Sequence, residues 1–186
     1  MRILLTLALL TASCFGQLSP YVQAGISSIQ NMGYQNPDWA ATAGARYLAP
    51  RWEAETQFQF DSAHKYIGDG HSLSAQGAVY GCLSRTCLGG GAQWGEESTS
   101  QWTKTSWRPL LMVRQHVDAL TLTAYLNPTS GTDKQNHEHA FGLTAEYALT
   151  RHWTWIGDLT FAVFQPTNQP KAGWLVGQEY ATALRY

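Results

Sequence analysis

Charge is scarce in this chain. Asp, Glu, Lys and Arg make up 13% of its 186 residues, about half the share a soluble domain usually carries, so a water-facing surface would be hard to cover. The Lys and Arg residues are scattered and the formal net charge is -1. Without a basic stripe there is no electrostatic reason to expect a nucleic-acid partner. Long apolar runs are missing too. Past the first residues no segment approaches the ~18 apolar positions that a spanning helix needs, and helical periodicity is absent from the rest. Cysteine is rare, with Cys14, Cys82 and Cys87 the whole complement. No linker or repeat beyond the hairpin divides the chain, which leaves one domain. What the sequence holds in plenty is aromatic: 12% Phe, Trp and Tyr, including eight Trp.

The opening MRILLTLALLTASCFGQ places Arg2 before the apolar run Ile3 to Leu10 and then small residues, the layout of a secretory signal peptide. Cleavage after Gly16 would leave residues 17–186 as the mature domain. TASC could instead be a lipoprotein-type site acylated at Cys14, to which Thr11 is a poor fit. An exported chain with no spanning helix is either soluble or a barrel.

Alternation is the dominant signal of the mature part. In RWEAETQFQFD, residues 51 to 61, Trp52, Ala54, Thr56, Phe58 and Phe60 share one parity, while Arg51, Glu53, Glu55, Gln57 and Gln59 share the other. Successive side chains of a strand point to opposite faces, so the stretch is a strand with one apolar and one charged face. Ten such strands can be drawn, near 20–28, 39–49, 51–60, 72–82, 87–96, 106–117, 119–127, 139–150, 152–164 and 172–186, with eight the alternative number. Short breaks alternate with longer polar stretches, which predicts an up-and-down antiparallel meander with both ends of the barrel domain on the short-turn side.

The charged strand residues Arg46, Arg51, Glu53, Glu55, Arg108, Arg114, Asp118, Glu146, Asp158, Glu179 and Arg185 all fall on the parity opposite the apolar sets. Gln115, Gln178 and Thr182 are polar exceptions on the apolar side. Alternation alone would suit a soluble lipocalin-like barrel, so the position of the aromatics along each strand decides. Trp39, Phe60, Trp94, Trp107, Phe141, Phe161 and Trp174 lie next to the long loops, and Tyr47, Trp52, Tyr147, Trp153, Trp155 and Tyr186 next to the short turns. Ala, Leu, Val, Thr and Gly fill the space between. Rings with a polar handle favour the headgroup region, so two rows separated by an aliphatic band read as aromatic girdles. The expectation is a transmembrane barrel with lipid on the tryptophan side and a lumenal charge network of Arg46, Glu53, Glu55, Arg114, His116, Asp118, Glu146, Asp158, Glu179 and Arg185.

With its leader, girdles, alternating loop lengths and a last strand ending in Leu184, Arg185 and Tyr186, the mature chain resembles the small bacterial outer-membrane β-barrels of the OmpA and OmpX type. The resemblance implies residence in the bacterial outer membrane, contact with its lipid, and recognition of the last strand by the insertion machinery through Tyr186, Leu184, Tyr180 and Val176. It implies no activity, because architecture does not give function.

Three constellations bear on chemistry. Cys82 and Cys87 flank LSRT on the lumenal parity and are spaced for a hairpin disulfide in an oxidising compartment. A redox or metal role is the alternative for the pair. His137 and His139 bracket Glu138, but two ligands do not make a metal centre, and the other donors, Asp133, His64 and His71, sit in loops. His116 and Asp118 could orient as a base and its partner, yet the inward Ser74 lies near the opposite end, so no catalytic constellation is complete. Neither a cofactor nor a metal is called for, and an enzyme is not expected. Gly89, Gly91 and Gly95 on the fifth strand would leave room in the lumen. Barrels near this strand number are packed with side chains, so a structural or surface-interaction role is expected, its loop ligand unspecified. Tyr34, Tyr66 and Trp102 are plausible loop contacts. A narrow pore, a barrel hydrolase and a soluble ligand-binding barrel follow as alternatives.

Overall fold

The computed structural model describes residues 16–30, 37–62, 70–99, 103–127, 136–166 and 175–186. Residues 1–15, on which Cys14 and all but the last position of the expected signal peptide 1–16 fall, lie outside them, as do Tyr34, His64, Tyr66, Trp102, Asp133 and Trp174. The described residues form ten strands: β1 (Gln17–Gln30), β2 (Pro37–Ala49), β3 (Trp52–Asp61), β4 (Gly70–Leu83), β5 (Thr86–Thr99), β6 (Thr103–Val117), β7 (Leu120–Asn127), β8 (Asn136–Ala148), β9 (Thr154–Pro166) and β10 (Leu175–Arg185). Every strand pairs antiparallel with its sequence neighbours, and β10 pairs with β1 to close the barrel. Ten strands, an up-and-down order and full closure are what the alternation predicts.

The register sets the shape. Paired residues followed once around the wall, from Gln17 through Leu48, Glu53, Tyr80, Gly89, Met112, Tyr125, Gly142, Thr160 and Glu179, return to β1 at Ile29, a stagger of 12 residues. With that stagger over ten strands, the strands tilt about 40° from the barrel axis and the wall has a radius of roughly 10 Å.

Local chemistry makes the turns. Ser84 and Asp118 take positive φ, 58° and 53°, in the tight turns after β4 and β6; Asp is among the few side chains that tolerate this conformation. After β8, the Thr150 hydroxyl accepts from the backbone N–H groups of His152 (3.3 Å) and Trp153 (3.1 Å). Pro20 turns its ring nitrogen, which carries no N–H, away from its β2 partner Ala45. Val22 exchanges both backbone bonds with Tyr186, and two residues earlier the missing N–H points past that pair.

Burial is inverted relative to a soluble protein. The exposed side chains include Val22, Trp39, Phe58, Val79, Leu88, Trp107, Leu111, Phe141, Leu143 and Leu184, with Val79 at 58% and Leu111 at 57%, while Glu53, Arg114 and Glu146 are buried. Polar exceptions on the outer face pair locally, as groups facing hydrocarbon must. Thr182 accepts from the Trp155 indole at 2.9 Å and donates to the Ile156 carbonyl at 3.2 Å. Tyr180 donates to Gln178 at 2.9 Å, and Thr86 to Gln115 at 2.6 Å.

Candidate functional site

Inside the barrel, toward the short-turn end, arginines and glutamates from five strands interlock. Arg46 of β2 donates to Glu146 of β8 (2.9 and 3.0 Å) and to Glu55 of β3 (3.1 Å). Arg114 of β6 donates to Glu53 at 2.8 Å, Glu55 at 2.7 Å, the Tyr80 hydroxyl at 3.1 Å and the Thr123 hydroxyl at 3.1 Å. Arg185 of β10 donates to Glu146 at 3.0 Å and to Gln23 at 3.3 Å. Three guanidinium groups thus face three carboxylates. Arg114 is 2% exposed, Glu53 6% and Glu146 7%. Charges this deep persist only when paired and hydrogen-bonded.

Tyrosines hold the floor in place, and these the charge pattern alone does not single out. Tyr80 lies under the Arg114 guanidinium, 4.1 Å from ring centre to Cζ, and Tyr21 lies under that of Arg185 at 4.2 Å, both within cation–π range. Each ring lies across a glycine directly opposite it on the neighbouring strand: Tyr21 across Gly44, Tyr80 across Gly89, and Tyr125 across Gly142. Gly89 therefore leaves no open lumen, as its parity would suggest, because Tyr80 occupies the space; Gly91 abuts the Gly77 carbonyl and Ala78. The signal was present in the sequence, since the three tyrosines share the charged parity and each meets a glycine in register. Gly89→Ala drives a methyl into the Tyr80 ring and is expected to cost about 1–3 kcal/mol, read as a lower midpoint of urea unfolding in micelles. Gly90→Ala, whose nearest neighbour is the Leu110 carbonyl at 3.5 Å, should leave the midpoint nearly unchanged.

His116 belongs to the floor but not with the partner its sequence neighbourhood suggests. Its Nε2 is 2.7 Å from Glu53 Oε1 and its Nδ1 is 3.1 Å from the Thr121 hydroxyl. Asp118 lies outside the network. Its side chain is 83% exposed in the turn after β6 and faces the exposed Arg85 at 3.6 Å, because β6 ends at Val117 and strand parity lapses with it. Arg51 is likewise an exposed turn residue.

On the long-loop side of the floor is a cavity of about 300 Å³. Gln23, Gln57, Gln76, Gln93, Asp158 and Glu179 are among its walls. Asp158 accepts from Thr144 at 2.6 Å and Thr160 at 2.9 Å, and the Tyr125 hydroxyl meets that of Thr160. Cys82 and Cys87 are joined as a disulfide, with Cα atoms 4.0 Å apart. His139 is exposed on β8, and the side chains of His137 and Glu138 lie outside the described residues.

A closed antiparallel barrel with an apolar exterior and an ionic interior is a transmembrane β-barrel of the kind found in bacterial outer membranes. No family model matches the chain, and no curated protein does. Among solved structures it is similar to Neisserial surface protein A, with 11% identity over 91% of this chain and 97% of that one and a TM-score of 0.40. The attachment invasion locus protein Ail of Yersinia pestis aligns at 13% identity over 92% and 99% of the two chains, TM-score 0.36. A KdgM porin solved with disordered oligogalacturonate aligns at 7% identity over 91% and 98%, TM-score 0.42. At these values no function passes from them to this chain.

Proposed function

We propose that the chain resides in the bacterial outer membrane as a sealed barrel and acts through the surface formed by its long loops rather than by passing solute. The ionic floor carries this reading. Opening a path at the short-turn end would require parting Arg114 from Glu53 and Glu55, and Arg46 and Arg185 from Glu146; stripping one member from such a buried group costs about 3–5 kcal/mol. The exposed aromatics support the membrane placement. Trp39, Trp107 and Phe141 lie toward the long loops, while Trp52, Trp153 and Tyr186 lie toward the short turns, where rings with a polar edge favour headgroups. In that setting the partners are lipid around the wall and, during assembly, the insertion machinery reading β10 through Leu184 and Tyr186.

Recording from planar bilayers tests the reading. Purified barrel should insert without stepwise conductance. Steady unitary steps from the unaltered protein would overturn it in favour of a narrow pore.

A further inference from the structure

We infer that the short-turn end of the barrel contains a tetrahedral site for a divalent metal such as zinc, built from Cys82, Cys87, Glu53 and His116, and available when the two cysteines are thiols. The disulfide and the metal are alternative occupants of one place. Among the described residues, the donor atoms of Glu53, Cys82 and Cys87 lie within 4.8 Å of one another. His116 adjoins this group rather than belonging to it, with its Nε2 2.7 Å from the same Glu53 Oε1 that lies 3.9 Å from Cys87 Sγ, so its ring has to move toward the sulfurs to become the fourth ligand. Two sulfurs, one imidazole nitrogen and one carboxylate oxygen are a donor set that zinc takes in tetrahedral geometry.

Both non-sulfur donors are held by outer partners. The Thr121 hydroxyl holds His116 Nδ1 at 3.1 Å, which turns Nε2 toward Glu53. Arg114 holds Glu53 Oε2 at 2.8 Å, which leaves Oε1 for the site. Outer partners of this kind orient ligands in established metal centres. The charge balance also fits. A dication with two thiolates, one carboxylate and a neutral imidazole carries one net negative charge, and the Arg114 guanidinium lies against it. Cys87 and Glu53 are buried, while Cys82 and His116 are part-exposed, so an ion has a way in from the rim. Cys82 and Cys87 face each other directly across β4 and β5, so rotation of their side chains alone can open the sulfurs around an ion.

Binding converts two thiols to two metal-bound thiolates and releases two protons; in the competing reaction the disulfide of another protein serves as oxidant by thiol–disulfide exchange, accepting two electrons and two protons to become two thiols while the Cys82–Cys87 bond forms and the ion leaves. A chain arriving with thiols therefore meets metal and oxidant as competitors.

Cobalt(II) reports the geometry. Protein refolded into detergent with a phosphine reductant, its folding checked by heat-modifiable gel migration, is titrated with Co(II) alone. One equivalent should give the intense visible bands of a tetrahedral thiolate complex, displaced by Zn(II). Cys82→Ser/Cys87→Ser should abolish the bands. His116→Gln, which leaves the three arginines and three glutamates intact, should fold and weaken binding at least about tenfold. Absence of those bands in the reduced, folded wild type, their survival in the double serine variant, or unchanged affinity in His116→Gln would each overturn the inference.

Discussion

Arg114→Ala should lower barrel stability by about 3–5 kcal/mol, the largest effect expected of a single truncation in the lumen. The side chain is 3% exposed and divides its donors among Glu53, Glu55, Tyr80 and Thr123. Removing it leaves Glu53 with His116 and Glu55 with Arg46, which makes three buried carboxylates share two guanidinium groups, and it also strips the cation from the face of Tyr80. The measurement is urea unfolding of protein refolded in lipid vesicles, followed by tryptophan emission. Adding Glu53→Gln to Arg114→Met removes one carboxylate with one cation, leaves Arg46 and Arg185 facing Glu55 and Glu146, and should recover much of the loss, since replacing a buried ion pair is often close to neutral. If the single truncation costs less than ~1 kcal/mol, these groups are hydrated as a surface pair would be, and the floor does not seal the lumen.

The sidedness of the wall was legible in the sequence because one physical rule governs the whole length of a strand. Parity puts Arg46, Glu53, Glu55, Arg114, Glu146 and Arg185 on one face of their strands, and the aromatic rows at the strand ends turn that face inward, with no knowledge of their partners. Partner choice was not legible. Glu53 and His116 are 63 residues apart, and only the closure of the barrel and its 12-residue stagger bring them to the same height. The expected place of Asp118 in the lumenal network shows the limit of the parity rule, since the rule holds only while the backbone stays extended and Asp118 has already turned at φ 53°, its side chain exposed. The strands run past the ends that alternation predicts for a related reason. Glu96 to Ser98 pair with Thr103 to Thr105 beyond the alternating region, because backbone groups continue their ladder after the side chains cease to separate lipid from lumen. The glycines of β5 suggest space when parity is applied to one strand at a time; Tyr80, directly opposite Gly89 on β4, fills it.

Leu143→Arg separates a lipid-facing wall from a water-facing one. Leu143 is 45% exposed on the outer face of β8, between Phe141 toward the long loops and Tyr147 toward the short turn, in register with Leu159 and Ala124. Were water outside, an Arg there would add one more solvated side chain, and a surface change of this kind stays within about 0.5 kcal/mol. With hydrocarbon outside, a guanidinium near mid-belt costs about 2–4 kcal/mol, and the cost falls toward the headgroups. Leu149→Arg, exposed beyond the end of β8, should therefore cost about 0–1 kcal/mol under the same conditions. Unfolding in vesicles against urea reads both variants, and the gradient between them carries more weight than either value, because a depth-dependent penalty arises only where a bilayer surrounds the wall. Equal and small effects at both positions would mean that the apolar surface is covered by something other than lipid.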